Sequence, residues 1–374
     1  MRRCCCWALT GIALLTGCDV SPDSGSGSGD LENVEQAPQR VAQGTEFMLA
    51  APTPQAMEAG RQILEDGGNA VDAAAAAAFA LWVTDPLMSS VGGRAQILVQ
   101  LADGRVVGID GATQAPGEVG KPADTGHGYR TAPVPGSPAA LEEMLLAYGT
   151  LTLAEVLEPA MRIAREGFPV PRDVHDALVR YEDRLTLYPG TRAHFYKADG
   201  SAYEEGEILR QPALAETLGI LAREGMGALY RGSLAEAIVG DMAEHGGLVG
   251  LEDLARYRTL PGEVVHGRYR GREIVARGGN CDGGSVVQML QMLEHLDLSA
   301  YSIQDPEYIS VLAQTLLLGN LDEYVPDSIQ VSPAHARRRF REIDVDGAFP
   351  LGYEPGEEIG PDGDTNHLSV VAGA

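Results

Sequence analysis

The sequence predicts an α/β protein of the α+β kind, with helices layered on an antiparallel sheet. Three observations carry this reading. Two strand-like segments follow one another across a tight turn, as antiparallel pairs do. Segments with helical periodicity are grouped apart from the strands, which suits helix layers packed on a sheet. Hydrophobic residues make up 44% of the 374 and glycine occurs 46 times, a composition of globular α/β chains and not of disordered or fibrous ones.

The elements follow in order from Phe47. In PTPQAMEAGRQILEDGGNA the apolar residues Ala56, Ala59, Ile63 and Leu64 form a helical stripe. Gly67 and Gly68 end that helix in the manner of a C-cap, and Asn69 is placed to N-cap the next. That next helix, AVDAAAAAAFALWV, is apolar nearly all round and stops before Pro86. It is too short to span a bilayer and carries Asp72, so it reads as a buried core helix whose alanines let neighbouring backbones come close. AQILVQL and RVVGIDGA read as two strands joined at Ala102-Asp103-Gly104. The helices ALEEMLLAYG, TLAEVLEPAMRIAREG, QPALAETLGILAREG and GSLAEAIVGDMAEHG follow, each ending at glycine. YRGREIVARGG gives another strand, and the glycine turn GGNCDGG opens the helix SVVQMLQMLEHL. PEYISVLAQTLLLGNLDEY is helical again, and in SPAHARRRFREID the run Arg337, Arg338, Arg339 and Arg341 reads as the solvated face of a surface helix. HLSVVA is a terminal strand. These strands are few for so much helix, so the sheet is expected to be missing members, with the chain stopping where the next would begin.

Length alone permits one large domain or two average ones. The formal charge of −25 argues against nucleic acid as a partner, since phosphate binding needs clustered Lys and Arg. Four of the five cysteines fall within the first eighteen residues, in MRRCCCWALTGIALLTGC. Arg2 and Arg3 followed by an apolar run read as a signal segment. Leu15-Thr16-Gly17-Cys18 resembles the bacterial lipobox, whose cysteine is lipidated; the alternative is a cleaved secretory signal with an incidental cysteine. The expected organisation is a lipoprotein signal peptide over 1–17, a flexible Ser/Gly-rich tether over 18–45, a main region over 46–364 and a short final segment over 365–374. The expected location is the periplasmic or extracellular side of the cell envelope. After processing only Cys18 and Cys281 would remain, so no internal disulfide is expected. His127 and His367 have no metal-ligand spacing around them, and neither a metal nor another cofactor is expected.

Eight collinear segments carry a family resemblance: GGNAVDAAAAAAFALWVTDP, SSVGG, APVPGSPAALEEMLLAYG, EPAMRIAREGFPV, QPALAETLGILAREG, ALYRGSLAEAI, GGLVGLEDLARYR and DTNHLSVV. From about Phe47 onward the chain resembles the gamma-glutamyltranspeptidases. The resemblance implies an N-terminal nucleophile hydrolase with a four-layer αββα sandwich, incomplete in this chain. It also implies a precursor that cuts itself into a large and a small subunit. The position similar to the new N-terminal nucleophile is Thr365, so the cut would fall between Asp364 and Thr365. The chemistry fits the residue type: a threonine hydroxyl is a poor nucleophile until a base takes its proton, and the α-amine freed by the cut titrates near neutrality. From the tripeptide alone, Asp364-Thr365-Asn366 reads equally as a polar turn entering a strand.

The resemblance implies γ-glutamyl compounds such as glutathione as substrates, with water or an amino acid or peptide as acceptor. It places substrate-binding positions at Ala112, Arg94 and His367. Three departures bear on this. The family has an arginine, which grips the substrate carboxylate, where this chain has Ala112; alanine offers no bidentate partner. The glycine-rich loop continues as Gly92-Gly93-Arg94-Ala95, where Arg94 either replaces the missing cation or points to solvent. The family's proline-rich turn reads Arg277-Gly278-Gly279-Asn280-Cys281-Asp282 here, and Cys281 is either a small buried residue or a second nucleophile. Ten residues from Thr365 cannot hold a small subunit, so these 374 residues alone are expected neither to cut themselves nor to turn over substrate. The competing expectations are a membrane-tethered gamma-glutamyltransferase or glutathione hydrolase, an acylase or amidase of the same fold, and a non-catalytic envelope lipoprotein.

Overall fold

The structure, a computed structural model, describes residues 43–117, 127–322, 324–345 and 367–372. Nine strands lie among them: β1 (Phe47–Ala50), β2 (Ala95–Gln100), β3 (Val106–Gly111), β4 (Phe168–Pro169), β5 (Ile208–Leu209), β6 (Leu260–Gly262), β7 (Val264–Tyr269), β8 (Arg272–Arg277) and β9 (Ser369–Ala372). They pair antiparallel throughout, as β1–β9, β2–β3–β6, β4–β5 and β7–β8. The described strands thus form four small sheets and not one broad one.

The helical layer is built on small residues. Helix α1 (Pro54–Glu65) starts at Thr53, whose hydroxyl accepts from the Ala56 N–H, and α2 (Ala70–Thr84) starts at Asn69 in a full capping box with Asp72. Ala73, Ala75, Ala76, Ala77 and Ala80 of α2 are fully buried. The close backbone approach expected from the alanine run is present at Gly60 of α1: a Cβ there would lie 3.1 Å from the Ala73 carbonyl and 2.4 Å from a Leu49 methyl. The buried Asp72 also accepts from the Thr150 and Leu151 N–H groups and the Thr150 hydroxyl. It therefore ties α2 to the turn between α3 (Ser137–Tyr148) and α4 (Leu153–Glu166). A buried carboxylate persists where several donors compensate its desolvation. Phe79, Trp82, Leu157, Phe168, Leu218 and Leu221 fill the core between α2, α4 and α5 (Pro212–Glu224).

A second, smaller core joins α6 (Gly283–Leu293), α7 (Pro306–Leu321) and α8 (Pro333–Phe340) through Met292, Val311, Leu318 and Ala336. Here the arginine run differs from a uniformly solvated face. Arg337, Arg338 and Arg341 are exposed, but Arg339 turns inward and binds Asp322 through two nitrogens, at 2.8 and 2.9 Å. The segment expected as a single strand near Arg272 is a hairpin, β7–β8. Its turn residues, Arg270 (φ 48°) and Gly271 (φ 76°), both take the left-handed conformation that a two-residue hairpin turn requires. Arginine rarely supplies that conformation, so the turn carries no strong sequence signal. β1 is likewise hard to read from sequence, because a four-residue strand gains its identity from its partner β9 rather than from its own pattern.

Candidate active site

The β2–β3 hairpin organises the site. Its register sets Ala95 opposite Gly111, Gln96 opposite Asp110 and Ile97 opposite Ile109. One face presents Ile97, Val99 and Ile109 to the core beneath α3. The other carries Gln96 and Asp110 as a cross-strand pair, since directly opposed residues share a face. Asp110 is almost fully buried. Its Oδ1 accepts from Gln96 Nε2 at 2.7 Å and from the Ala112 N–H at 2.8 Å; Asn280 Nδ2 stands 3.4 Å from Oδ2.

Arg277, at the end of β8, is the counter-charge. Its Nη2 is 3.9 Å from Asp110 Oδ2, an ion pair without a direct hydrogen bond. Its donors go instead to Gln96 Oε1, at 2.9 Å from Nη2, and to the Glu263 carbonyl. Gln96 thus bridges carboxylate and guanidinium. The network joins three segments: the start of β2, the end of β3 with Ala112, and the 277–282 turn.

Two further supports hold Ala112 and the glycine loop. The Gly93 carbonyl accepts from the N–H groups of Gly136 and Ser137, each at 2.9 Å, which pins the loop to the start of α3. Gly136 must be glycine, because a Cβ there would fall 2.1 Å from the Gly111 carbonyl oxygen. The Tyr257 hydroxyl donates to the Ala112 carbonyl at 2.9 Å. Its ring stacks on Tyr230 at 5.3 Å, and the Tyr230 hydroxyl donates to the Pro135 carbonyl. Burial pushes the Tyr257 phenol up to about 12, so it remains a neutral donor at physiological pH. Beside the two tyrosines an open cleft of about 520 Å³ is bordered by Glu142, Arg231, Arg258 and Thr259.

Arg94 is exposed and immediately precedes β2, one step beyond the Ala95–Gly111 pair. Arg94 and Ala112 both lie just past the last paired residues of the hairpin, and the backbone groups of Ala112 go to Asp110 and Tyr257. Cys281 is half-buried. Burial pushes its thiol up to about 11, with the charges of Arg277, Asp110, Arg94 and Asp282 acting in opposite senses. A thiol held that high stays protonated near neutrality, which suits a small packed residue and not a nucleophile. His367, just ahead of β9, is exposed and its Nε2 lies 2.9 Å from Ser369 Oγ. It is not a member of the Asp110 network. Asp364, Thr365 and Cys18 lie outside the described residues. Among the described residues no cluster of His, Cys, Asp and Glu could hold a metal ion, and no helix is long and apolar enough to cross a membrane.

Sequence reasoning passes over Asp110, Gln96, Arg277 and Tyr257. The signals are present: one carboxylate in the apolar strand VVGIDG and one arginine closing REIVAR. Each needs a buried partner, and only the tertiary pairing supplies it.

The fold is that of the N-terminal nucleophile hydrolases. A crystal structure of gamma-glutamyltranspeptidase from Helicobacter pylori superimposes with a TM-score of 0.79 at 30% identity, covering 87% of this chain and 100% of that one. Cephalosporin acylase from Bacillus halodurans gives 0.72 at 28%, covering 91% of this chain and 69% of that one. Residues 56–374 match the gamma-glutamyltranspeptidase family, and the chain belongs to it. Among curated relatives, the acylase ACY 1 proenzyme of Pseudomonas sp. (strain SE83) is 34% identical over 89% of this chain and 64% of its own length. The glutathione hydrolase proenzyme of Escherichia coli (strain K12) is 31% identical over 89% of this chain and 61% of its own. The chain thus spans less than two thirds of the length of these two relatives.

Proposed function

We propose that this protein is a membrane-tethered N-terminal threonine hydrolase that moves γ-glutamyl groups from compounds such as glutathione to water or to an amino acid or peptide. The observation that carries the reading is the extent of the family match, which runs across Asp364-Thr365 to residue 374. The relatives' description as proenzymes supports activation by a cut. In the proposed sequence the Thr365 hydroxyl attacks the Asp364 carbonyl carbon, the peptide becomes an ester, and water opens it. The freed α-amine then takes the proton from the same hydroxyl as it attacks the γ-glutamyl amide. The departing amine leaves with that proton, and water or an acceptor amine releases the acyl group from Thr365.

Intact-mass spectrometry of the full-length gene product tests this. A fragment beginning at Thr365 is expected, and Thr365→Ala should abolish both the cut and turnover. Cleavage in that variant would remove Thr365 as the nucleophile. The tether rests on Arg2, Arg3 and the Leu15–Cys18 box: Cys18→Ala should leave the protein unprocessed or free of membranes, and a processed, membrane-bound variant would end that part of the reading. One observation favours a second reading. Ala112 gives a γ-glutamyl carboxylate no cation at its own position, which an acylase with a different acyl group would not need. Comparing turnover of γ-glutamyl anilides with that of other acyl anilides separates the two.

A further inference from the structure

The open cleft beside Tyr230 and Tyr257 draws none of its walls from Asp110, Gln96, Arg277 or Ala112. Ala139 and Glu142 of α3 form one part of it, and the short helix Gly227–Arg231 another. Tyr257, Arg258 and Thr259, ahead of β6, complete it. Its volume of about 520 Å³ lies in the range of small-molecule sites.

Two positive charges meet at its edge. Arg231 Nη2 and Arg258 Nη1 both donate to one oxygen, the Ala255 carbonyl, Arg258 from 3.0 Å. Arg258 Nη1 also donates to the Tyr257 carbonyl at 2.5 Å. Among the described residues neither guanidinium has a carboxylate within ion-pair distance; both rest on backbone carbonyls. The glutamates nearby are engaged by neutral donors instead: Glu142 Oε1 accepts from the Met226 N–H at 2.9 Å, and Glu143 from the Thr259 hydroxyl. By contrast, Arg61, Arg105, Arg256 and Arg339 each sit against a carboxylate. The chain carries 53 Asp and Glu against 28 Lys and Arg, so two arginines gathered on a neutral oxygen run against its composition. Arginine keeps its charge, and like charges sharing one acceptor repel. Each guanidinium also has five N–H donors, more than these carbonyls occupy. An oxyanion between them cancels the repulsion and takes up those donors in the fork geometry that a carboxylate fits. Glu142 lines the same cleft, and its charge disfavours a ligand more negative than a single carboxylate.

We propose that this cleft is a binding site in its own right, in which Arg231 and Arg258 hold the carboxylate of a small organic acid of amino-acid or dipeptide size. The volume sets the size, since a lone carboxylate fills only a small part of it. The rings of Tyr230 and Tyr257, which also line the cleft, offer surface to the body of the ligand. The inference does not depend on the γ-glutamyl reading, because none of the residues lining the cleft takes part in the chemistry proposed at Thr365.

Calorimetric titration of the full-length protein at low salt tests it, with N-acetyl-L-alanine as the probe. That molecule keeps a carboxylate, and its blocked amine prevents it from serving as an acyl acceptor. L-alaninamide, which keeps the amine and lacks the carboxylate, is the control, and inorganic phosphate is the more highly charged anion. N-acetyl-L-alanine should bind roughly ten- to a hundredfold more tightly than L-alaninamide, the range set by one hydrogen bond to a charged group. Phosphate should bind more weakly than N-acetyl-L-alanine, and added salt should weaken both. Arg231→Gln and Arg258→Gln should each lower the affinity for N-acetyl-L-alanine by a similar factor, and Arg258→Lys, which keeps charge without the fork, by less. Arg337→Gln, at an exposed arginine of α8, should change nothing, and thermal melting should show that every variant keeps the fold. A wild-type protein that does not bind N-acetyl-L-alanine overturns the inference, as does a double variant, Arg231→Gln with Arg258→Gln, that folds and binds as the wild type does. An equal loss in Arg337→Gln overturns it as well, since the attraction would then belong to the whole surface. Tighter binding of phosphate than of N-acetyl-L-alanine overturns the assignment to a carboxylate.

Discussion

Two buried aspartates, Asp322 and Asp110, each meet an arginine, and the two pairs are built for different ends. Asp322 closes α7. It accepts from Arg339 through both oxygens, from His335 Nε2 at 2.8 Å and from Gln288 Nε2 at 2.6 Å, while its own carbonyl accepts from Gln330. Every donor comes from a neighbouring helical segment, and the fork-to-fork pairing is direct. Asp110 stands 3.9 Å from its arginine, and the amide of Gln96 intervenes. Its remaining partners are a backbone N–H and an asparagine from turns, not from helices. The first pair staples a helical core shut. The second holds three loops in register around a site. Saturation marks the structural pair, and a bridged, looser pairing marks the junction.

The comparison breaks most sharply at Asp322. Asp322→Ala takes the shared acceptor from Arg339, His335 and Gln288 in a mostly buried pocket and leaves Arg339 only Glu342, which should lower stability by about 3–5 kcal/mol, the usual result of removing one member of a buried pair. Chemical unfolding measures it; a loss below about 1 kcal/mol, within the ordinary spread of single substitutions, would show that the network contributes little. Glutamate affinity should be unchanged, because none of these residues belongs to the Asp110 network.

The same pair predicts an acid response. Burial pushes the Asp322 carboxyl upward, but hydrogen bonds from His335, Gln288 and Arg339 outweigh it and hold the group below its ordinary value. A carboxyl lowered on folding contributes stability above its unfolded pKa, about 4, and loses it as pH falls through the folded value. The wild type should therefore lose part of its stability below about pH 4, while Asp322→Asn, already weaker at neutrality, should lack that component. Parallel pH curves for the two proteins would refute the assignment.

Asp110→Ala should have a smaller effect on stability and a larger one on binding. Arg277 keeps Gln96 and the Glu263 carbonyl, so the expected destabilisation is about 1.5–3 kcal/mol, the worth of hydrogen bonds to a charged group. Ala112 loses the acceptor for its N–H, and the end of the β2–β3 hairpin loosens. Glutamate affinity should fall while the melting transition stays cooperative. Asp110→Asn, which keeps one acceptor, should recover part of both. An Asp110→Ala variant with full affinity would reduce the network to a structural feature like that of Asp322.

The contrast also explains what could be read from the sequence. The Asn69 cap, the glycine helix ends, the alanine helix and the β2–β3 hairpin are legible because each depends on residues close in sequence. The Asp110–Arg277 junction is not legible, because its members are separated by well over a hundred residues and meet only when β8 and the 277–282 turn settle beside β3. Arg339 misleads for the opposite reason: a run of arginines looks uniform in sequence, and only helix packing turns one of the four inward. Local rules place elements, and charge pairing across the fold decides which polar residues are buried.

The smallest effect is expected at Cys281, and it tests whether the junction is a binding site or a second nucleophilic centre. Burial raises its thiol to about 11, with Asp110 and Asp282 adding to the rise and Arg277 and Arg94 opposing it. Alkylation at neutral pH proceeds through the thiolate, and an unperturbed thiol has a pKa of about 8.5, so Cys281 should react roughly two to three orders of magnitude more slowly than free cysteine. Peptide mapping after brief iodoacetamide treatment distinguishes it from the cysteines of the N-terminal segment. Cys281→Ala should cost about 1 kcal/mol or less, with glutamate affinity and turnover unchanged. Fast alkylation would mean that Arg277 and Arg94 outweigh burial, and the 277–282 turn would then be an electropositive, reactive pocket. Slow alkylation with a neutral Cys281→Ala leaves the turn a structural role, in which it carries Asn280 to Asp110 and borders the face of the hairpin that holds Gln96.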